Sequence, residues 1–186
     1  MASIRTLTDL SEKIVPKSSR ERAVLTAASI LAIVLLAIDQ LTKVWADKVL
    51  KVNGPITVIE GFFDLSYVTN RGAAWGIFHG HTGFLLIVAA VVTALAIIYF
   101  RWLTEGYTER YYIFFIIISG VIGNGIDRLW RGEVVDFLAF TFWGYHFPTF
   151  NIADSAICVG VALYLLSAWL RPAPKKLAEE SADEPA

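Results

Sequence analysis

The chain has 186 residues, 56% of them hydrophobic and 18% charged, with a net charge of −1 and a mean hydropathy of +0.57. Soluble domains carry about 25% charged residues, and here the apolar excess falls in blocks, so the chain reads as a membrane protein. No basic face appears, which sets nucleic acid aside, and a single cysteine excludes an intramolecular disulfide.

Residues 1–22 read as a cytoplasmic N-terminal extension carrying Arg5, Lys13, Lys17, Arg20 and Arg22. Ala23–Ile38 is uncharged and runs into Asp39-Gln40-Leu41-Thr42-Lys43-Val44-Trp45, which predicts a first span over about 23–45. An Asp-Gln-x-x-Lys stretch follows where a cleavable signal peptide would show small residues, so cleavage is not expected. The next stretch, about 47–82, is rich in β-branched and aromatic residues at Ile56–Glu60 and Phe62–Val68, after a turn signal at Asn53-Gly54-Pro55. It predicts a few short strands lying on the membrane surface.

A second span is expected over about 83–103, a third over 111–129 and a fourth over 151–170, each apolar and close to the ~20 residues that cross the hydrocarbon. Between the last two, Phe140, Phe142, Trp143, Tyr145 and Phe147 suit an interfacial aromatic belt. Residues 171–186 hold three prolines and four acids and read as a disordered cytoplasmic tail. Lysine and arginine divide 10 against 6 between the two sides, which places both termini in the cytoplasm. The fold class is therefore an all-α membrane protein with four transmembrane helices, its domain spanning 23–170.

An up-and-down path brings Asp39, Asp127 and Asn151–Asp154 to one membrane face, with Asn70-Arg71-Gly72 and Asp136 in the loops there. Ionisable residues at that depth are costly and suggest function. Asp39 has Lys43 four residues on, and Asp127 has Arg131, both at the spacing of a helical ion pair. Asp136 and Asp154 have no base within four residues. Two unpaired carboxylates in apolar surroundings rise in pKa or share a proton, as an aspartic protease dyad does, so these two are expected to meet. A single acid at a helix start is more often only a cap favouring the helix dipole, and Asp154 fits that role too. Four acids converging with Asn70, Asn124 and Asn151 favour function. For Lys43 and Arg128, snorkelling to the interface and substrate contact weigh equally.

Other chemistries have little support. His79, His81 and His146 form no metal-ligand pair, so no metal is expected. Ser119-Gly120 has Ile117 where a serine intramembrane protease needs glycine, and a serine–lysine pair using Lys43 lacks a well-placed serine. Gly123-Asn124-Gly125-Ile126-Asp127 has the wrong spacing for a presenilin-type GxGD, and its glycines are read as helix-packing positions. Cys158 is read as a small buried hydrophobe.

Five blocks together, Asp39–Lys43, Asn70–Gly76, Gly123–Leu129, Val134–Phe137 and Phe150–Ser155, resemble the signature blocks of the bacterial lipoprotein signal peptidase family (signal peptidase II), in the same order. The resemblance covers about residues 23–170, with Gly125 standing where an aliphatic residue is usual. It implies a cofactor-free aspartic endopeptidase of the bacterial inner membrane, with a small extracytoplasmic β-cradle and its active site near the outer face. It implies cleavage of lipid-modified prolipoproteins before the diacylglyceryl-cysteine, Asp136 and Asp154 as catalytic pair, and inhibition by globomycin-type peptides. Asp39, Lys43, Asn70, Arg71, Asn124, Asp127, Arg128 and Asn151 match positions that shape the site or hold substrate. A monomer in contact with membrane lipid suffices. The rival readings are a small transporter or proton-relay subunit using the interfacial acids, and a non-catalytic scaffold. A relay would spread carboxylates across the bilayer, whereas these sit at one face.

Overall fold

The structure is a computed structural model that describes residues 18–73, 77–78 and 80–171. Most of the N-terminal extension, the C-terminal tail, Ala74–Gly76 and His79 lie outside the described residues. In chain order the elements are α1 (Ser19–Asn53), β1 (Ile56–Ile59), β2 (Phe63–Asn70), α2 (Thr82–Ile98), α3 (Phe100–Thr104), α4 (Thr108–Trp130), β3 (Val134–Phe142), β4 (Tyr145–His146) and α5 (Ile152–Leu170).

Three of these helices, α1, α4 and α5, are long and apolar enough to cross a membrane. The expected second span is divided. α2 ends at Ile98 after 17 residues, Tyr99 intervenes, and α3 adds five more. Four full-length spans are therefore not what the helices display by length alone. α1 also departs from expectation. It has 35 residues, about 52 Å at ~1.5 Å each, against a hydrocarbon slab of ~30 Å. Its C-terminal turns, expected to be loop from residue 47, continue the helix until Gly54, at φ 85°, ends it.

Those turns carry the sheet. The four strands run β1-β2-β3-β4, all antiparallel. β1 and β2 lie where the β-branched runs predicted them. β3 does not: the segment read as an aromatic loop is a nine-residue strand paired with β2, Val68 opposite Asp136 and Asn70 opposite Val134. Asp136 is accordingly a strand residue and not a loop residue. The small core formed by Ala46 and Leu50 of α1 with Val135 and Phe137 of β3 fixes the sheet against the end of α1. Successive strand side chains alternate faces, so burying Val135 and Phe137 against α1 turns Asp136 the other way. The aromatic side chains form ring contacts along the sheet, Phe63 on Phe140 at 4.5 Å and Phe140 on Phe150 at 5.7 Å, while Trp143 at the β3–β4 turn is fully exposed.

Helices α4 and α5 approach closely through glycines. A Cβ on Gly120 would lie 2.4 Å from the Ala153 carbonyl oxygen, and one on Gly123 would lie 2.6 Å from Asp39 Oδ2. Gly125 was expected to have a packing role as well, but a Cβ there meets nothing within 4 Å.

The opposite end of the bundle is closed by Arg110, only 2% exposed. It pairs with Glu105 at 2.8 Å, donates to Ser167 Oγ and to the Arg171 carbonyl, both at 3.0 Å, and stacks on Tyr107. A cation on the last carbonyls of α5 also complements that helix's dipole. Arg110→Ala strands Glu105 and those carbonyls, and is expected to cost about 3–5 kcal/mol of stability. Thermal unfolding in detergent checks this, and an unchanged Tm would contradict it.

Candidate active site

α5 begins immediately after a short bridge. The Phe150 carbonyl accepts from the Phe137 and Leu138 N–H groups at 3.0 and 2.9 Å, and the Phe150 N–H returns a bond to Leu138 at 3.1 Å. This bridge ties β3 to the start of α5 and so brings Asp136 beside Asn151 and Asp154. Asn151 is the N-cap of α5: its Oδ1 accepts from the Asp154 N–H at 2.9 Å, and Asp154 Oδ2 accepts from the Asn151 N–H at 3.4 Å. Reading Asp154 as a cap was thus correct as far as it went, since one residue serves both the helix end and the site.

Asp136 and Asp154 line one cavity of about 920 Å³. Asn70 and Thr69 of β2, Asn124 and Arg128 of α4, Phe147 and Phe150 before α5, and Ser155, Ile157 and Cys158 of α5 complete much of its wall. Cys158 is exposed and faces this cavity, contrary to its expected burial, because the helical period places it one turn beyond Asp154. Among the described residues neither acid has an ion pair with a cation. Asn151 Nδ2 donates to Asp136 Oδ1 at 2.6 Å, and Asn124 Nδ2 donates to Asp154 Oδ1 at 2.7 Å. Asn70 Oδ1 accepts the Gly72 N–H at 2.8 Å, which leaves its amide N–H groups for Asp136. Burial foremost, and then the charge of Asp154, push Asp136 up to about 7 against the pull of the Asn151 and Asn70 amides.

The remaining acids are satisfied beneath this layer. Lys43 Nζ lies 2.9 Å from Asp39 and 3.0 Å from Asp127, with all three side chains at most 2% exposed. Lys43 therefore neither snorkels nor reaches the cavity; it neutralises two buried acids. Asp39 accepts the Ala153 N–H at 2.8 Å, a second hold on the start of α5. Asp127 accepts the Val135 N–H at 3.3 Å and lies 3.4 Å from Arg131, the pair that sequence spacing proposed. Arg128 donates to the Gly72 carbonyl at 2.9 Å and to the Asn124 carbonyl at 3.3 Å, so it holds the segment following β2 against α4. Arg71, well exposed at the rim, pairs with Glu133 at 2.8 Å.

All ten residues singled out from sequence thus gather at one end of the bundle. Asn70, Arg71, Asn124, Arg128, Asp136 and Asp154 line the cavity, whereas Asp39, Lys43, Asp127 and Asn151 support them from below. Sequence reasoning missed Val135, whose N–H and carbonyl both serve the network, and Gly120 with Ala153, which set the α4–α5 distance. The spacing Gly120-x-x-Gly123 opposite Ala153 was the available signal for the latter. Among the described residues no group of three or more His, Cys, Asp or Glu is arranged to hold a metal ion.

Known proteins resemble this chain along most of its length. The family model for signal peptidase II matches residues 31–170. The lipoprotein signal peptidase of Syntrophotalea carbinolica is 40% identical over 144 residues, covering 75% of this chain and 89% of that protein. That of Staphylococcus haemolyticus is 35% identical over 162 residues, covering 84% and 99%. A solved bacterial membrane enzyme superposes with a TM-score of 0.69 at 30% identity, covering 86% of this chain and 92% of its own.

Proposed function

We propose, for a chain that belongs to the signal peptidase II family of proteases that cleave signal peptides from lipoproteins, that Asp136 and Asp154 form an aspartic dyad activating water at the membrane surface. The observation carrying this reading is that the two carboxylates line one cavity and are held by amides alone, while every other nearby acid is paired with a cation. Amide donors orient a carboxylate without neutralising it, so one proton remains available to be shared.

The two environments differ, and the difference suggests a division of roles. Asp154 sits in the first turn of α5 under a helix N-terminus and accepts from Asn124. It is placed to act as the carboxylate that takes a proton from water. Asp136, on a strand and raised to about 7, carries the shared proton and donates it to the scissile carbonyl. Attack then gives a tetrahedral gem-diol, and return of the proton through the dyad releases the amine. Asn70 and Arg71 stand where an extended substrate backbone would need partners in a dry site. Ile157 and Cys158 form an apolar wall on α5 against which a diacylglyceryl group would rest. The reading includes a fourth span made from α2 and α3 together, both termini in the cytoplasm, and the cavity at the outer face of the inner membrane.

The test is cleavage of a diacylglyceryl-modified prolipoprotein by the wild type, Asp136→Asn and Asp154→Asn. Retained cleavage in either variant removes the dyad. A pH profile supplies a second check. The rate needs the proton on Asp136, so kcat is expected to fall about tenfold per pH unit well above 7. Stability carries the matching sign. A carboxyl raised in the folded state binds a proton that the unfolded chain has released, so stability falls as pH climbs from 3.8 towards about 7. Asp136→Asn should lack that slope in thermal unfolding. A kcat that stays flat from about pH 6 to about pH 9 would contradict the assignment of the proton to Asp136.

A further inference from the structure

The two asparagines between the acids could each present a carbonyl or an N–H group to a carboxylate, and the choice is set by neighbours that only donate or only accept. Asn151 is fixed by backbone: its Oδ1 takes the Asp154 N–H, and its Nδ2 faces the Val135 carbonyl at 3.4 Å. Asn124 has no such backbone partner for its side chain. Its Oδ1 accepts from Lys43 Nζ at 3.0 Å and from Asn151 Nδ2 at 3.2 Å, and its Nδ2 thereby falls on Asp154. An ammonium has three donors and no acceptor, so it admits the amide in this orientation alone.

Resting on the dyad reading, we propose that Lys43 is a positioning residue that holds the Asn124 amide with its N–H group, and never its carbonyl, towards Asp154. During turnover Asp154 alternates between carboxylate and acid, and an acid would equally accept a carbonyl opposite it. Turning the amide would set its N–H groups against the Lys43 ammonium, whose side chain is 0% exposed, and leave donor facing donor in a buried place. Asn124 therefore offers the same donor in both protonation states, and the returning proton meets an unchanged site. Neutralising Asp39 and Asp127 is the other half of the Lys43 role, so the experiment has to separate the two.

The charged groups around the dyad are Asp39 and Lys43 on α1, Asp127, Arg128 and Arg131 at the end of α4, and the rim pair Arg71 and Glu133. The double variant Lys43→Met/Asp39→Asn removes one positive and one negative charge 2.9 Å apart and leaves Asp127 with Arg131 at 3.4 Å, so the net field at the dyad is nearly conserved while the donor is lost. The comparisons are the wild type and the single variant Asp39→Asn, with a diacylglyceryl-modified prolipoprotein peptide in lipid bicelles as substrate. The double variant is expected to fold, to lose roughly 10- to 100-fold in kcat with KM held within about twofold, and to have the acid limb of its pH profile displaced upwards. A rate and profile matching Asp39→Asn would overturn the proposal. So would loss of the fold in the double variant alone, which would make Lys43 structural. Retained cleavage by Asp136→Asn or Asp154→Asn removes the dyad and this proposal together. Inactive aspartate variants beside an unaltered double variant remove this proposal alone.

Discussion

Asp154→Asn is expected to reduce cleavage by about 1,000-fold or more while leaving the protein folded. The substitution is nearly isosteric, the amide oxygen at residue 154 can still accept from Asn124 Nδ2, and the residue 154 N–H still donates to Asn151 Oδ1, so the start of α5 keeps its cap. What disappears is the proton-accepting charge. Asp136→Asn should be as severe, for the complementary reason that an amide has no acidic proton to give. It should not lower the Tm at neutral pH, because it removes a carboxyl that burial already disfavours as an anion. A double variant should be no worse than either single one, since two groups acting as a unit lose their effect once. Activity above about a tenth of wild type in any of the three would be incompatible with the dyad.

The second large effect is expected from a residue that touches no substrate. Gly120→Ala places a methyl group 2.4 Å from the Ala153 carbonyl oxygen and 2.7 Å from Ile157 Cγ1. The first of these is backbone and cannot rotate away, so α5 must withdraw from α4 by about 1 Å. Ala153 immediately precedes Asp154, and Asn124, which positions Asp154, stays behind on α4. A misplacement of that size is expected to lower kcat by about 100-fold and to destabilise the fold by about 1–3 kcal/mol. Gly125→Ala, five residues along the same helix, meets nothing within 4 Å and should leave cleavage unchanged, with a Tm equal or slightly higher. Measuring kcat and Tm for both variants separates helix packing from glycine content as such. Equal behaviour of the pair would refute the close-contact account.

Much of this was legible in the chain itself. Runs of apolar residues announce helices because a backbone in hydrocarbon must satisfy its own hydrogen bonds, and alternating direction then carries Asp39, Asp127 and Asp154 to one face. Local spacing also identified the paired acids, since i,i+4 geometry is a property of one helix and needs no partner. Two things lay outside its reach. The first was β3: its aromatic residues resemble an interfacial belt, and only pairing with β2, more than sixty residues earlier, and packing on the end of α1 make the segment a strand and aim Asp136 inward. The second was Lys43, whose i,i+4 partner Asp39 was foreseeable but whose contacts with Asp127 and Asn124 come from α4. The sequence by itself determined which polar residues would gather at one end of the bundle. Tertiary structure alone decided that one lysine would neutralise two acids and which amides would hold Asp136 and Asp154, because those contacts of about 3 Å join separate elements and no periodicity along one element encodes them.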